Sequence, residues 1–130
     1  FMFQNLKPGA DGSVLNISSW FMTSCANNRI MLAVRYLLWE YWKINNRLID
    51  YFLLHHFIMM VSERYSENWN KIVQYPNSFP HVLLLMMFYD FNQEKWDAVT
   101  NACPFHKLAY KRSKEEMKKE GTYYKYLMNY

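Results

Sequence analysis

The period of the apolar positions changes along the chain, and each change marks an element. Residues Phe1 to Ser13 hold Pro8, Gly9, Asp11 and Gly12 and read as a loop. Val14 to Thr23 (VLNISSWFMT) is β-branched and aromatic with partial alternation, which predicts a strand. Asn27-Asn28 then offers a cap, and Ile30, Val34, Leu37, Tyr41 and Ile44 recur at helical spacing. The spacing predicts a long amphipathic helix ending near Asn45-Asn46. A second helix is predicted from about Leu48 to Arg64; it is apolar almost all round until Ser62 and should be buried.

A short helix around Glu67 to Gln74 precedes a loop marked by Pro76, Asn77, Ser78 and Pro80. His81 to Phe88 and Gln93 to Ala102 predict two more short helices, separated by Tyr89-Asp90-Phe91-Asn92. Cys103 to Lys111 (CPFHKLAYK) reads as a loop or brief strand. A charged helix from Lys114, Gly121 and an aromatic terminal segment close the chain. The result is a predominantly α chain with a few short strands, in one region spanning 1–130.

Composition adds two constraints. With 52% apolar and 19% aromatic residues, the chain can bury a core and is not intrinsically disordered. The net charge of +4 owes much to Lys107, Lys111, Arg112, Lys114, Lys118 and Lys119. That bias suits anionic partners such as nucleotide phosphates or lipid headgroups. Glu115, Glu116 and Glu120 interleave with the cations from Lys114 onward, so no sharp basic stripe forms and nucleic acid is not expected as a partner. Cys25 and Cys103 stand far apart, without metal-ligand spacing or a disulfide framework, and a reducing cytoplasm is the default expectation. The longest apolar run, Ile49 to Val61, carries Asp50, His55 and His56 and is too short to span a bilayer. No stretch reads as a signal peptide, and the opening Phe1-Met2-Phe3 reads as the interior of a longer protein.

The chemistry must come from His, Asp, Lys and aromatic residues, because the sequence holds no GxGxxG, P-loop, CxxC, HExxH or GxSxG. His106-Lys107, with Tyr110-Lys111 close behind, combines an imidazole that can ligate a divalent metal with ammonium groups that can neutralise a diphosphate. The plainer alternative is a surface histidine among basic residues. Asp50, with Tyr51 and His55 beside it on the second helix, could hydrogen-bond a sugar hydroxyl or simply cap the helix. His55 and His56 also fit hydrogen-bonded core histidines. Asn16-Ile17-Ser18-Ser19-Trp20 offers a sugar ring an aromatic face flanked by polar groups; a core Trp on a strand is the alternative. Tyr89, Trp96, Tyr110 and most methionines are assigned to packing. Asp90-Phe91-Asn92 lacks the second carboxylate of a D-x-D metal motif and reads as a turn.

Taken in order, Ser19-Trp20-Phe21, Tyr41-Trp42-Lys43 with Asn45-Asn46, LIDYFLLH from Leu48 to His55, and His106-Lys107-Leu108 with Tyr110-Lys111 resemble the C-terminal part of the capsular polysaccharide synthesis glycosyltransferases. That family is similar to glycosyltransferases with short D-x-D sugar-binding regions, and the likeness covers Ile17 to Lys111. It implies the acceptor-side half of an α/β GT-A fold, without the nucleotide-binding D-x-D half. It implies Asp50 as the catalytic carboxylate facing the donor sugar. Asn16, Ser19, Trp20, Tyr51 and His55 would contact the acceptor or donor sugar, His106 would ligate metal, and Lys107 and Lys111 would bind diphosphate. The parent enzyme would move a hexose from a nucleotide-sugar donor to a glycan acceptor with divalent Mn or Mg, in the cytoplasm or peripherally at the inner face of the membrane. Without a D-x-D, this chain alone is expected to be inactive and to bind no metal tightly. A non-catalytic helical interaction domain is the alternative reading.

Overall fold

The computed structural model describes residues 1–4, 17–109 and 112–129. They fall into two compact units, Phe1–Asn77 and Ser78–Tyr130. The described residues are mostly helical, with one small sheet in the first unit.

In the first unit, β1 (Met2–Gln4) lies between β2 (Ile17–Met22) and β3 (Gln74–Pro76) in the order β2-β1-β3. It runs antiparallel to β2 and parallel to β3, with Phe3 opposite Ser18 on one side and Tyr75 on the other. The loop expected over Phe1 to Ser13 is thus corrected at its start. Three residues of strand form there because both neighbours supply backbone partners, although one of them lies some seventy residues later. Pro76 is tolerated in β3 because that strand is at the edge and has a side needing no N–H.

α1 (Arg29–Ile44) starts where the sequence predicts. Asn28 Oδ1 accepts from the backbone N–H groups of Ile30 (3.1 Å) and Met31 (3.2 Å), satisfying two donors of the first turn. Asn45 closes the helix on Tyr41 through both its backbone and side-chain N–H groups. α2 (Leu53–Arg64) packs against α1 but begins five residues later than the periodicity predicts. The cause is local competition for backbone groups. Tyr41 Oη donates to Arg47 O and accepts from Ile49 N, and Asp50 Oδ1 accepts from Phe52 N at 2.6 Å. A carboxylate that binds the backbone two residues on favours a turn over helix. Nor is α2 buried all round: Leu53, Ile58, Val61 and Ser62 face inward while His56 and Met60 are exposed.

Met2, Ile17, Ile30, Val34, Ile58 and Val61 form the core of this unit, drawn from the sheet and both long helices. Beside it, Phe3 stacks on Trp20 with centroids 5.1 Å apart and meets Tyr75 edge-on. α3 (Ser66–Trp69) is shorter than the helix expected over Glu67 to Gln74, whose last residue belongs to β3.

The second unit opens with a 3-10 turn (Phe79–His81) that runs into α4 (Val82–Met86). Asn92 caps α5 (Gln93–Ala102) by accepting from Lys95 N, but Asp90-Phe91-Asn92 is not the turn expected: Asp90 bridges to Thr122, Phe91 N donates to Gly121 O and Asn92 is extended. α6 (Lys114–Lys118) carries a reciprocal Ser113–Glu116 capping box. α7 (Tyr123–Met128) is the aromatic terminal segment. It is tied down by Phe91 stacked on Tyr126 at 4.1 Å, by Trp96 against Tyr123, and by Tyr124 N donating to Met87 O. Trp96 therefore packs as expected. Tyr89 does not; its ring is largely exposed.

Candidate functional site

The candidate residues divide between the two units. Ser19, Trp20, Asp50, Tyr51 and His55 belong to the first, His106 and Lys107 to the second. Asn16 and Lys111 lie outside the described residues, as does Tyr110.

Ser19 and Trp20 sit on β2, both half-buried. The indole is held from two directions: one face lies on Phe3, and Nε1 donates to Asn77 Oδ1 at 3.3 Å. Those contacts give Trp20 a packing role, and Asn77, far off in sequence, is a partner that no local pattern reveals. Phe21 is a further aromatic neighbour.

Asp50 lies ahead of α2, not in its first turn. One carboxylate oxygen takes the Phe52 N–H, which is the helix-entry role weighed for it, and also lies 3.7 Å from His56 Nε2. The sequence pairs Asp50 with His55 by helical spacing. Because Asp50 is off the helix, that spacing does not apply, and His56 faces the carboxylate instead. Both partners of the pair are about half exposed, so their attraction is weak, while the carboxylate's other lone pairs remain open to solvent. Tyr51 is 84% exposed and meets Phe52 edge-on.

His55 is turned into the protein. Its ring meets Phe52 edge-on at 5.2 Å, and Nδ1 is enclosed without a hydrogen-bond partner. Burial, helped by the neighbouring His56, pushes its pKa below the usual imidazole value. The half-buried ring is not the hydrogen-bonded core histidine that the sequence allowed, since Nδ1 has no partner among the described residues.

His106 sits in an irregular stretch whose position is fixed at both ends. Cys103 is buried, caps α5 through its backbone N–H to Val99 O, and donates its thiol to Phe105 O at 2.9 Å. Lys107 N donates to Pro80 O at 2.9 Å. Between these anchors the His106 ring is half-buried with Nδ1 enclosed and unpartnered. Burial lowers its pKa, with the nearby Cys103 backbone acting more weakly in the opposite direction. Burial thus favours the neutral form of the ring. Among the described residues, no three His, Cys, Asp or Glu side chains cluster as a metal site.

Among the described residues no helix is long and apolar enough to cross a membrane. The sequence model of a family described as capsular polysaccharide synthesis protein matches residues 1–127, a span wider than the Ile17–Lys111 likeness. No curated protein and no solved structure matches the chain.

Proposed function

This chain belongs to the capsular polysaccharide synthesis protein family, and from that premise we propose that it is the acceptor-side part of a glycosyltransferase that moves a hexose from a nucleotide sugar to a glycan. The family match over nearly the whole chain carries the reading. The absence of any D-x-D from the sequence adds that the metal-binding carboxylate pair, and with it the nucleotide-binding half of a GT-A fold, would come from other residues of the parent enzyme.

In this reading Asp50 is the carboxylate that engages the sugar. Its remaining lone pairs are free to accept from a hydroxyl, and its position is set by the Phe52 N–H. Ser19 and Tyr51, with Asn16, supply polar and aromatic contacts to the sugar rings, and His55 backs the Asp50 turn through Phe52. Lys107, together with Lys111, offsets the negative charge of the departing diphosphate. A bound Mn²⁺ or Mg²⁺ would supply Lewis-acid charge compensation there, with His106 as one ligand and carboxylates beyond the described residues as the others.

The test is Asp50→Asn in the complete transferase. The amide oxygen can still accept from Phe52 N, so stability should change by no more than about 0.5 kcal/mol. Turnover should fall about a hundredfold or more if the charge serves the reaction. Unchanged turnover at unchanged stability would reduce Asp50 to a turn-former and remove it from the mechanism.

A further inference from the structure

α1 is apolar on two faces, and among the described residues one of them packs into the core while the other is exposed. Ile30 and Val34 turn inward to the core. On the opposite side Tyr36 and Trp39 are 63% and 64% exposed, with Trp42 beside them at 48%. A helix that shows large aromatic side chains to water as well as to its core has a surface awaiting a partner.

Charge and the turn at the C-terminal end of the helix identify the chemistry of that partner. From Arg29 to Ile49 the chain carries four cations, Arg29, Arg35, Lys43 and Arg47, and one carboxylate, Glu40, already engaged by Lys43 Nζ at 2.6 Å. Arg35 and Lys43 flank Trp39 on the exposed side of the helix, whereas the tail from Lys114 onward is nearly balanced, its four lysines interleaved with Glu115, Glu116 and Glu120. Ile44 and Ile49 are 85% and 77% exposed at the turn, where the Tyr41 hydroxyl binds Arg47 O and Ile49 N and fixes the backbone. Aliphatic tips, amphipathic Trp and Tyr rings, and an excess of cations on the helix and the turn after it match the layers of an anionic bilayer surface.

We propose that the outer face of α1 and the turn after it rest on the surface of a membrane containing anionic lipid. Tyr36, Trp39 and Trp42 lie at headgroup depth, Ile44 and Ile49 reach the acyl boundary, and Arg35, Lys43 and Arg47 meet lipid phosphates. The helix lies on the bilayer and does not cross it. The inference rests on exposure and charge and is independent of the transferase reading.

The test is co-sedimentation of the 130-residue chain with vesicles of phosphatidylcholine alone and with about 30% phosphatidylglycerol, paired with analytical ultracentrifugation. The chain should partition to the anionic vesicles about tenfold or more above the neutral ones, since each basic side chain near such a surface adds about fivefold. Trp39→Gln with Trp42→Gln should reduce the partition about tenfold. Both side chains are exposed, so a circular dichroism melt should stay unchanged. Arg35→Glu with Lys43→Glu should abolish the preference for anionic lipid. Lys114→Glu with Lys118→Glu, the same charge change on the tail, should leave it within about twofold. Equal binding to both vesicle types, or loss in the tail variant but not in the α1 variants, would overturn the proposal. So would a wild-type dimer that dissociates in the tryptophan variant without any vesicle binding, which would assign the face to a second copy of the chain.

Discussion

Replacing His106 by Ala in the complete transferase separates a functional histidine from a structural one. The stability change follows from the surroundings of the ring. Ala removes half-buried imidazole surface, a loss of about 1 kcal/mol. It also removes Nδ1, an enclosed polar atom with no partner, whose desolvation is itself a cost of about 1–3 kcal/mol. The two effects oppose each other, so stability should move by no more than about 1 kcal/mol, or roughly 4 °C in Tm for a chain of this size. The functional effect is larger and one-sided. Losing one group that stabilises departing negative charge costs about 2.7–4 kcal/mol by analogy with a lost oxyanion donor, or about a hundredfold to a thousandfold in turnover. The assay is steady-state kinetics across a Mn²⁺ titration, with thermal melts on the same protein. The variant should need more Mn²⁺ and turn over more slowly while melting near the wild-type temperature. Near-normal turnover with a collapsed Tm would refute the reasoning and make His106 a structural residue of the Cys103–Lys107 stretch.

The isolated 130-residue chain should bind UDP- and GDP-hexoses only weakly in the presence of Mn²⁺, because the sequence has no D-x-D; a micromolar dissociation constant by calorimetry would defeat that expectation. Acid should destabilise the first unit through His55. Its folded pKa lies below the unfolded value of 6.5, so the stabilisation of the neutral ring is present above pH 6.5 and is lost as pH falls below it. Melts from about pH 7.5 to 5 should therefore fall less steeply for His55→Phe than for wild type, and parallel curves would show that the burial of His55 is not felt. Gly121 adopts φ 71° and its carbonyl accepts from Phe91 N at 2.8 Å. Gly121→Ala should cost about 1 kcal/mol although the added methyl meets open space, because the penalty lies in the left-handed backbone; a neutral chemical denaturation curve would contradict it.

Elements governed by neighbours within a turn or two were legible in the sequence. α1 and α5 lie where periodicity and caps put them, since Asn28 and Asn92 bond backbone groups only two or three residues away. The same holds for the family, whose marks are short ordered runs such as LIDYFLLH, but not for Asp90-Phe91-Asn92, which was expected as a turn and instead meets Gly121 and Thr122 some thirty residues on. Whatever depended on distant partners was not legible. β1 exists because β2 and β3 flank it, and Trp20 is oriented by Asn77, 57 residues on. The start of α2 at Leu53 was decided when the Tyr41 hydroxyl and the Asp50 carboxylate captured backbone groups that a helix would have used, and that capture set His56, not His55, beside Asp50. Periodicity could find that α1 is apolar but not which of its apolar faces the core would cover. Helical spacing records which side chains share a face; only tertiary packing decides which face meets the core and which is left to water.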